Sequence, residues 1–463
     1  MSESFQTLSP IDGRVYVERA FAEEATIDRA LATARAAFPA WRSTPLDERI
    51  DLLRRMTRQL LDQKTLLAEE LTWQMGRPLS QSPWEIEGYG SRAEAMLDLA
   101  PTALADIELA ERPGFVRSLQ RAPLGLILTL APWNYPWLTA VNAVIPALAA
   151  GNVSILKHSD QTPLVAERMA EAAKAVGIPE GVFQALHCSH PQVATLVRDP
   201  RIDFVTFTGS VEGGRAVHRA LAGTFKGVGL ELGGKDPAYV RADADLDHAI
   251  PNLVEGVCFN SGQSCCAVER IYVHQDHFDR FVEGFVEGMK AYRLGSPLEE
   301  GIDLGPMVRT RNADHVRRQV EAASAAGARP LIEPSHFPAA GTDTPYLAPQ
   351  VLTGVDHRME IMSEETFGPA VGIMPVGGDA EALALMNDSR YGLTAAIWSS
   401  DLEATTRLAG ALETGTVFMN RCDYLDPELP WTAGGEHTGK GVSLSKHGFN
   451  GVTKLKGYNM RMA

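Results

Sequence analysis

Beyond residue 122 the chain alternates short apolar runs with amphipathic helical stretches, and this alternation restricts its fold more than any other feature. The runs fall at 126–130, 153–156, 182–186, 204–207 and 228–230. Between the second and third runs, Thr162 can cap a helix, Pro163 suits its first turn and Gly177 can end it. Strand, helix and strand in repetition imply right-handed crossovers and a parallel sheet covered on both faces. Ligands bind such sheets at the carboxyl ends of the strands. A second alternating region spans 236–431, with strands expected at 270–274, 370–375, 394–398 and 416–419 and a long helix at 277–292. Residues 1–100 read mainly as helices, notably 27–41 and 46–70. The Pro- and Gly-rich stretch 330–345 reads as a surface loop. The tail, 451–461, reads as a terminal strand that pairs with another element, another subunit being one candidate.

Residues 122–156 contain no charge and no histidine, a length that could span a bilayer. Pro123, Pro132, Pro136 and Pro146 interrupt it, so a buried strand, a turn and a core helix are expected instead. The 463 residues carry 43 Lys and Arg against 58 Asp and Glu, a net charge of −15. That balance argues against binding nucleic acid or an anionic membrane. Five cysteines without C-x-x-C spacing argue against a disulfide framework or a structural zinc site, and no metal site is expected. No secretory leader is visible, so a reducing, cytoplasmic setting is expected.

Four short segments could carry chemistry. In 259–267, Gly and Ser around Cys265 make a tight turn able to present sulfur to a cleft, although two adjacent cysteines can equally be small buried hydrophobes. Glu231 follows an apolar run and precedes Gly233-Gly234; partly desolvated, it could act as a general base, and otherwise it is a loop acid. Pro132-Trp133-Asn134-Tyr135-Pro136 is a rigid turn that could aim the Asn134 amide at a developing oxyanion or merely satisfy local backbone. Phe207-Thr208-Gly209-Ser210 ends a strand before a helix, where bare N–H groups and the Ser210 hydroxyl could cradle a phosphate. Each segment is arguable alone; four of them at strand ends, in this order, are hard to produce by chance.

Taken together, the segments resemble the aldehyde dehydrogenase superfamily of the hydrolytic, NAD(P)-dependent kind. PWNYP at 132–136, GN…K at 151–157, FTGS at 207–210, ELGGK at 231–235, NSGQSCCA at 260–267 and EETFGP at 364–369 appear in the family's order across nearly the whole chain. The resemblance implies an α/β fold with two doubly wound parallel-sheet domains, one for cofactor (1–103 and 124–232) and one catalytic (233–434). It also implies a small β oligomerisation segment (104–123 and 448–463) and a homodimer or homotetramer. Cys265 then corresponds to the nucleophile, Asn134 to the oxyanion holder and Glu231 to the base that activates water. Trp133, Lys157, Asp160, Gly209, Ser210, Glu365 and Phe367 correspond to cofactor-binding positions. A CoA-acylating enzyme and a catalytically silent member are the alternatives, and the joint retention of Asn134, Glu231 and Cys265 argues against both.

Three departures bear on specificity. Lys157-His158-Ser159-Asp160 stands where many relatives have Lys-Pro-x-Glu; Asp160 keeps the charge that favours NAD over NADP but is shorter. His187-Cys188-Ser189-His190-Pro191 replaces a glycine-bearing loop on the adenine side, and 431–439 differs from the family at the substrate entrance. There, Asp423, Tyr424, Asp426, Glu428 and Trp431 could draw a cationic aldehyde, though a solvated acidic loop is the plainer reading. No cluster of arginines near these segments points to a carboxylate-bearing substrate, which leaves only arginines folding inward from elsewhere.

Overall fold

The computed structural model describes residues 3–422 and 424–462. Two sheets organise it. The first has six strands in the spatial order Gly439–Lys440, Gly227–Glu231, Phe204–Thr208, Leu126–Ala131, Val153–His158, Phe183–Ala185. All neighbours run parallel except the edge strand Gly439–Lys440, which is antiparallel to Gly227–Glu231. The chain enters at Leu126–Ala131, winds outward to Phe183–Ala185, then returns to lay Phe204–Thr208 on the other side. This reversal of winding opens a crevice at the carboxyl ends of Leu126–Ala131 and Phe204–Thr208.

The second sheet has seven strands: Arg329–Pro330, Gln350–Thr353, Ala370–Val376, Val268–His274, Asp236–Val240, Thr394–Trp398, Thr416–Met419. It is parallel apart from the short edge strand Arg329–Pro330. Both sheets are thus doubly wound and mostly parallel, each closed at one edge by a short antiparallel strand. The uncharged stretch folds as expected, with a buried strand, a turn, the helix Pro136–Ala149 and the strand Val153–His158. No helix among the described residues is long and apolar enough to cross a membrane.

Several expectations change in detail. The N-terminal region is not only helical: Ser4–Leu8 pairs antiparallel with Val15–Ala20. The run 46–70 is two helices, Leu46–Leu61 and Lys64–Met75, the second ended by Gly76 in the left-handed conformation. Thr162 does precede the helix Pro163–Ala175, but its hydroxyl meets His158 Nδ1 at 3.0 Å and does not cap the backbone. Buried His158 is held neutral, its pKa pulled down to about 3 by loss of water. The loop at 330–345 lies on the surface, anchored by buried Ile332 and Phe337. The tail strand Thr453–Arg461 pairs within its own chain, antiparallel to Phe115–Pro123, and Ile107–Glu108 completes that three-stranded sheet.

A single amide fastens this arm to the first sheet. Asn152 is fully buried; its Oδ1 accepts from Gly125 N (2.9 Å), and its Nδ2 donates to Ala147 O (3.0 Å) and Val452 O (2.9 Å). Asn152→Ala strands the Gly125 N–H and the Val452 carbonyl, while Ala147 O keeps the backbone N–H of residue 152, and we expect a loss of roughly 2–3 kcal/mol in chemical denaturation. A loss below about 1 kcal/mol would show that these groups find other partners.

Candidate active site

Each segment singled out in the sequence sits at a strand end. Trp133 and Asn134 lie between Leu126–Ala131 and the helix Pro136–Ala149, whose first residue is Pro136. Gly209 and Ser210 join Phe204–Thr208 to the helix Val211–Leu221, and the Ser210 hydroxyl caps that helix by accepting from Gly213 N. Glu231 ends its strand, and Cys265 precedes the strand Val268–His274.

Close approach brings the two sheets together at the site. A Cβ on Gly234 would lie 1.8 Å from the Cys265 carbonyl oxygen, so only glycine lets the ELGGK turn touch the cysteine segment. On the far side of that segment Gly262 has φ +69, and a Cβ there would lie 2.4 Å from the Gly368 backbone. Asn260, Ser261 and Phe367 hold left-handed conformations although they are not glycine, the kind of strain that clusters where a site fixes its backbone.

Cys265 and Glu231 line one cavity of about 370 Å³, together with Thr139, Asn142, Thr206 and Trp431. Glu231 accepts hydrogen bonds from the Thr208 hydroxyl (3.1 Å) and the Ser443 hydroxyl. Burial raises its pKa above the ordinary glutamate value, and the two hydroxyls oppose that rise. Its main chain is engaged as well, accepting from Gly209 N at 3.0 Å. Asn134 is buried, and its carbonyl accepts from Arg77 Nη2 (2.8 Å) and Asn260 Nδ2 (3.2 Å). Among the described residues its side-chain amide has no hydrogen-bond partner, which leaves it available to a ligand.

Residues that sequence reasoning passed over fix this frame. Arg77 and Glu85 form a fully buried ion pair. Arg77 Nε also donates to Asn260 Oδ1 (3.0 Å), and Glu85 Oε1 accepts from Trp137 N (2.8 Å). Lys235 is buried against Glu269 at 2.7 Å, and Glu269 accepts from the backbone of Thr366 (2.7 Å) and Phe367 (2.8 Å). That network carries the loop bearing Glu365, whose carboxyl accepts from Gly234 N (2.9 Å). Burial, reinforced by the charge of Glu269, pushes Glu365 up to about 8.

The positions expected from the sequence to hold a dinucleotide lie at the ends of the first sheet's strands and on the Glu365 loop. Gly209 and Gly213 have no room for a Cβ, which would lie 2.7 and 2.6 Å from the Phe207 ring, and their own N–H groups are spent on Glu231 O (3.0 Å) and the Ser210 hydroxyl (3.2 Å). An anion there would meet the first turn of the helix Val211–Leu221. Trp133 and Phe367 meet edge to face at 5.6 Å. Lys157 pairs with Asp160 at 2.8 Å at the end of Val153–His158, separate from the Glu365 cluster. On the adenine side Cys188 is fully buried, and His187 pairs with Glu167 at 2.8 Å.

Asp426 and Glu428, the described acidic residues of the loop before Trp431, do not line the cavity. Asp423 lies outside the described residues; Tyr424 is exposed with the Arg421 guanidinium 3.5 Å from its ring centre. Asp426 accepts from the Glu428 backbone at 2.9 Å, and only Trp431 of that group lines the cavity. The divergent stretch that follows clamps the ELGGK turn: Leu232 N donates to Thr438 O (2.9 Å) and Gly233 N to His437 O (3.1 Å).

The doubly wound α/β fold, with a thiol and a desolvated carboxylate in one cavity at the strand ends, has the form of an α/β enzyme with a candidate active site. Similarity to known proteins narrows the class. Residues 1–457 match the aldehyde dehydrogenase family, and the chain belongs to that family. It is 33% identical to succinate-semialdehyde dehydrogenase (NADP+) 1 of Mycobacterium tuberculosis, over 97% of this chain and 98% of the relative. It is 34% identical to succinate semialdehyde dehydrogenase (NAD(P)+) of Escherichia coli K12, over 96% and 95% respectively. An NAD-dependent aldehyde dehydrogenase from Sinorhizobium meliloti superposes with a TM-score of 0.95 at 31% identity, covering 100% of this chain and 92% of that one. The activity is aldehyde oxidation with a nicotinamide cofactor.

The buried pair yields a stability prediction. Arg77→Met leaves Glu85 charged and unpaired and removes a donor to Asn134; we expect a loss of about 3–5 kcal/mol in denaturant unfolding. Adding Glu85→Met should recover part of that loss, and a double variant no better than the sum of the single ones would refute the coupling.

Proposed function

We propose that the chain oxidises an aldehyde to its carboxylic acid through a covalent cycle on Cys265, released by water. The observation that carries this reading is that Cys265 shares its cavity with Glu231, a carboxylate whose pKa burial has raised. As thiolate, Cys265 attacks the aldehyde carbon, and the Asn134 amide donates to the oxyanion of the resulting thiohemiacetal. When bound, the oxidised nicotinamide supplies the acceptor for the hydrogen and two electrons that leave that carbon as hydride. Loss of hydride leaves a thioester on Cys265. Glu231 then takes a proton from water as the water adds to the thioester carbon; the C–S bond breaks, and the thiolate is restored. In sum, aldehyde, NAD(P)+ and water become carboxylate, NAD(P)H and two protons.

On this reading residues 1–103 and 124–232 form the cofactor unit, with the pyrophosphate at Gly209 and Ser210, the nicotinamide ribose at Glu365, and Trp133 and Phe367 beside it. Residues 233–434 form the catalytic unit. Lys157 and Asp160 take the adenosine ribose, and the carboxylate of Asp160 favours NAD over NADP by repelling a 2′-phosphate. Residues 104–123 and 448–463 form an oligomerisation arm, supported by exposed Val116, Leu455 and Met460 on its strands, and a homodimer or homotetramer results. Five free cysteines fit a reducing, cytoplasmic setting.

The test is formation of NADH and, separately, NADPH with a panel of aldehydes, with and without CoA. The panel includes succinate semialdehyde, for which the M. tuberculosis and E. coli relatives are named. We expect turnover without CoA, faster with NAD+, and none in Cys265→Ala. Glu231→Gln should give a single burst of NADH followed by a steady rate lower by about 10²–10⁴-fold. Absence of the burst would move Glu231 from deacylation to an earlier step.

A pH dependence follows from the partners of Glu231. The base must be ionised to accept a proton, so its raised pKa sets the acid limb of a deacylation-limited kcat profile above the ordinary glutamate range. Ser443→Ala removes a hydrogen bond that favours the carboxylate, so the pKa rises further and the acid limb moves to higher pH. An unmoved limb would show that Ser443 does not tune the base.

A further inference from the structure

The helix Ser82–Ala103 buries one face, on which Glu85, Tyr89, Ala93, Met96 and Ala100 recur at helical spacing. Arg92 falls within this stripe, three residues after Tyr89 and four before Met96. Its Nη1 donates to Leu138 O (2.9 Å) and, at a longer 3.4 Å, to Asn142 Oδ1. Asn142 and its neighbour Thr139 belong to the wall of the cavity that holds Cys265 and Glu231. Both acceptors therefore sit on one nitrogen. Among the described residues no acceptor reaches Nε or Nη2, and no carboxylate lies within ion-pair distance of the guanidinium. Arg77 and Arg270, both fully buried, differ: Arg77 has Glu85, and Arg270 spends Nε, Nη1 and Nη2 on backbone carbonyls. Arg92 is half-buried, so its unpartnered donors remain accessible and can be taken up by an anion.

We propose that Arg92 holds a carboxylate at the far end of the aldehyde substrate, which makes the chain selective for short semialdehydes over neutral aldehydes of the same length. The proposal rests on the reading of Cys265 as nucleophile and adds the group that orients the substrate's other end. A planar guanidinium with free donors suits a carboxylate geometrically as well as by charge. Two further features agree. The Thr206 hydroxyl is buried on the cavity wall without a hydrogen-bond partner among the described residues, a spare polar contact in a lining that is otherwise mostly apolar. Exposed Lys440 also lines the cavity, where it favours entry of an anion. Burial pulls the Arg92 pKa down, while Cys266, Glu231, Glu85 and Cys265 are the groups whose negative charge opposes that shift. The guanidinium thus lies within electrostatic reach of the reacting sulfur.

The experiment compares kcat/KM for succinate semialdehyde and for butanal, which has the same number of carbons, in the wild type, Arg92→Met and Arg92→Lys. We expect the wild type to prefer the semialdehyde, with the preference reduced about a hundredfold in Arg92→Met and partly kept in Arg92→Lys. The loss should fall mainly on KM, and inhibition by succinate should weaken in parallel. An equal fall for both aldehydes would overturn the proposal, assigning Arg92 to the thiol or to the fold. A wild type that shows no preference would overturn it without any variant, so the test survives an Arg92 variant that does not fold. Wild-type protein that oxidises neither aldehyde, indistinguishable from Cys265→Ala, would instead overturn the underlying reading of Cys265, and this proposal with it.

Discussion

The buried ion pair between Arg77 and Glu85 ties together parts of the chain that are far apart in sequence. Arg77 reaches the Asn134 carbonyl on the first sheet's turn and Asn260 on the segment leading to Cys265, while Glu85 receives the first N–H groups of the helix after that turn. Its guanidinium partner also lies 4.6 Å from the centre of the Tyr135 ring. A buried pair is weak evidence of net stability, because desolvation cancels much of the attraction. Its value here is positional. One charged fork sets the distance between an amide and a sulfur carried on different sheets.

The second sheet repeats the device. Lys235 and Glu269, also buried, fix the loop in which Phe367 keeps a left-handed backbone and Glu365 faces Gly234. Each pair leaves its charge inside the protein and uses backbone N–H groups to complete the carboxylate. The strained residues Asn260, Ser261 and Phe367 persist because these anchors determine their surroundings. The backbone of the candidate site is therefore anchored from both sheets. Its cavity is bordered by hydroxyls, Asn142 and aromatic rings.

Much of this is legible in the sequence, and the gaps have physical causes. The parallel strands are readable because strands buried on both faces are continuous apolar runs, and the motif residues because their turns need Gly, Pro and Asn at fixed offsets. The N-terminal hairpin is not, because burial there does not follow hydrophobicity: Thr7 is buried while Leu8 and Val15 are exposed. Arg77, Glu269 and Ser443 leave no local signal: each acts on a residue distant in sequence, and only the tertiary fold creates the pairing. Arg92 does leave one. The series Glu85, Tyr89, Arg92, Met96 follows the helical repeat, so the spacing alone marks a charged residue on an apolar face. Thr162 fails as a cap because His158, four residues earlier at the end of the preceding strand, competes for the same hydroxyl.

The C-terminal segment explains how the family's chemistry can stay constant while its entrance changes. Residues 431–443 add the antiparallel edge strand Gly439–Lys440 to the first sheet, hold the ELGGK turn through His437 and Thr438, and supply the Ser443 hydroxyl to Glu231. None of these contacts needs a particular side chain at Ala433, Glu436 or Lys440, because the sheet and turn contacts are made by main chain. Substitution there can reshape the cavity mouth without moving Cys265, which is fixed from the opposite side by Gly234 and Gly262. Glu231 is the exception. Its environment depends on a side chain from this segment, so sequence change at Ser443 reaches the chemistry directly, through the proton affinity of Glu231.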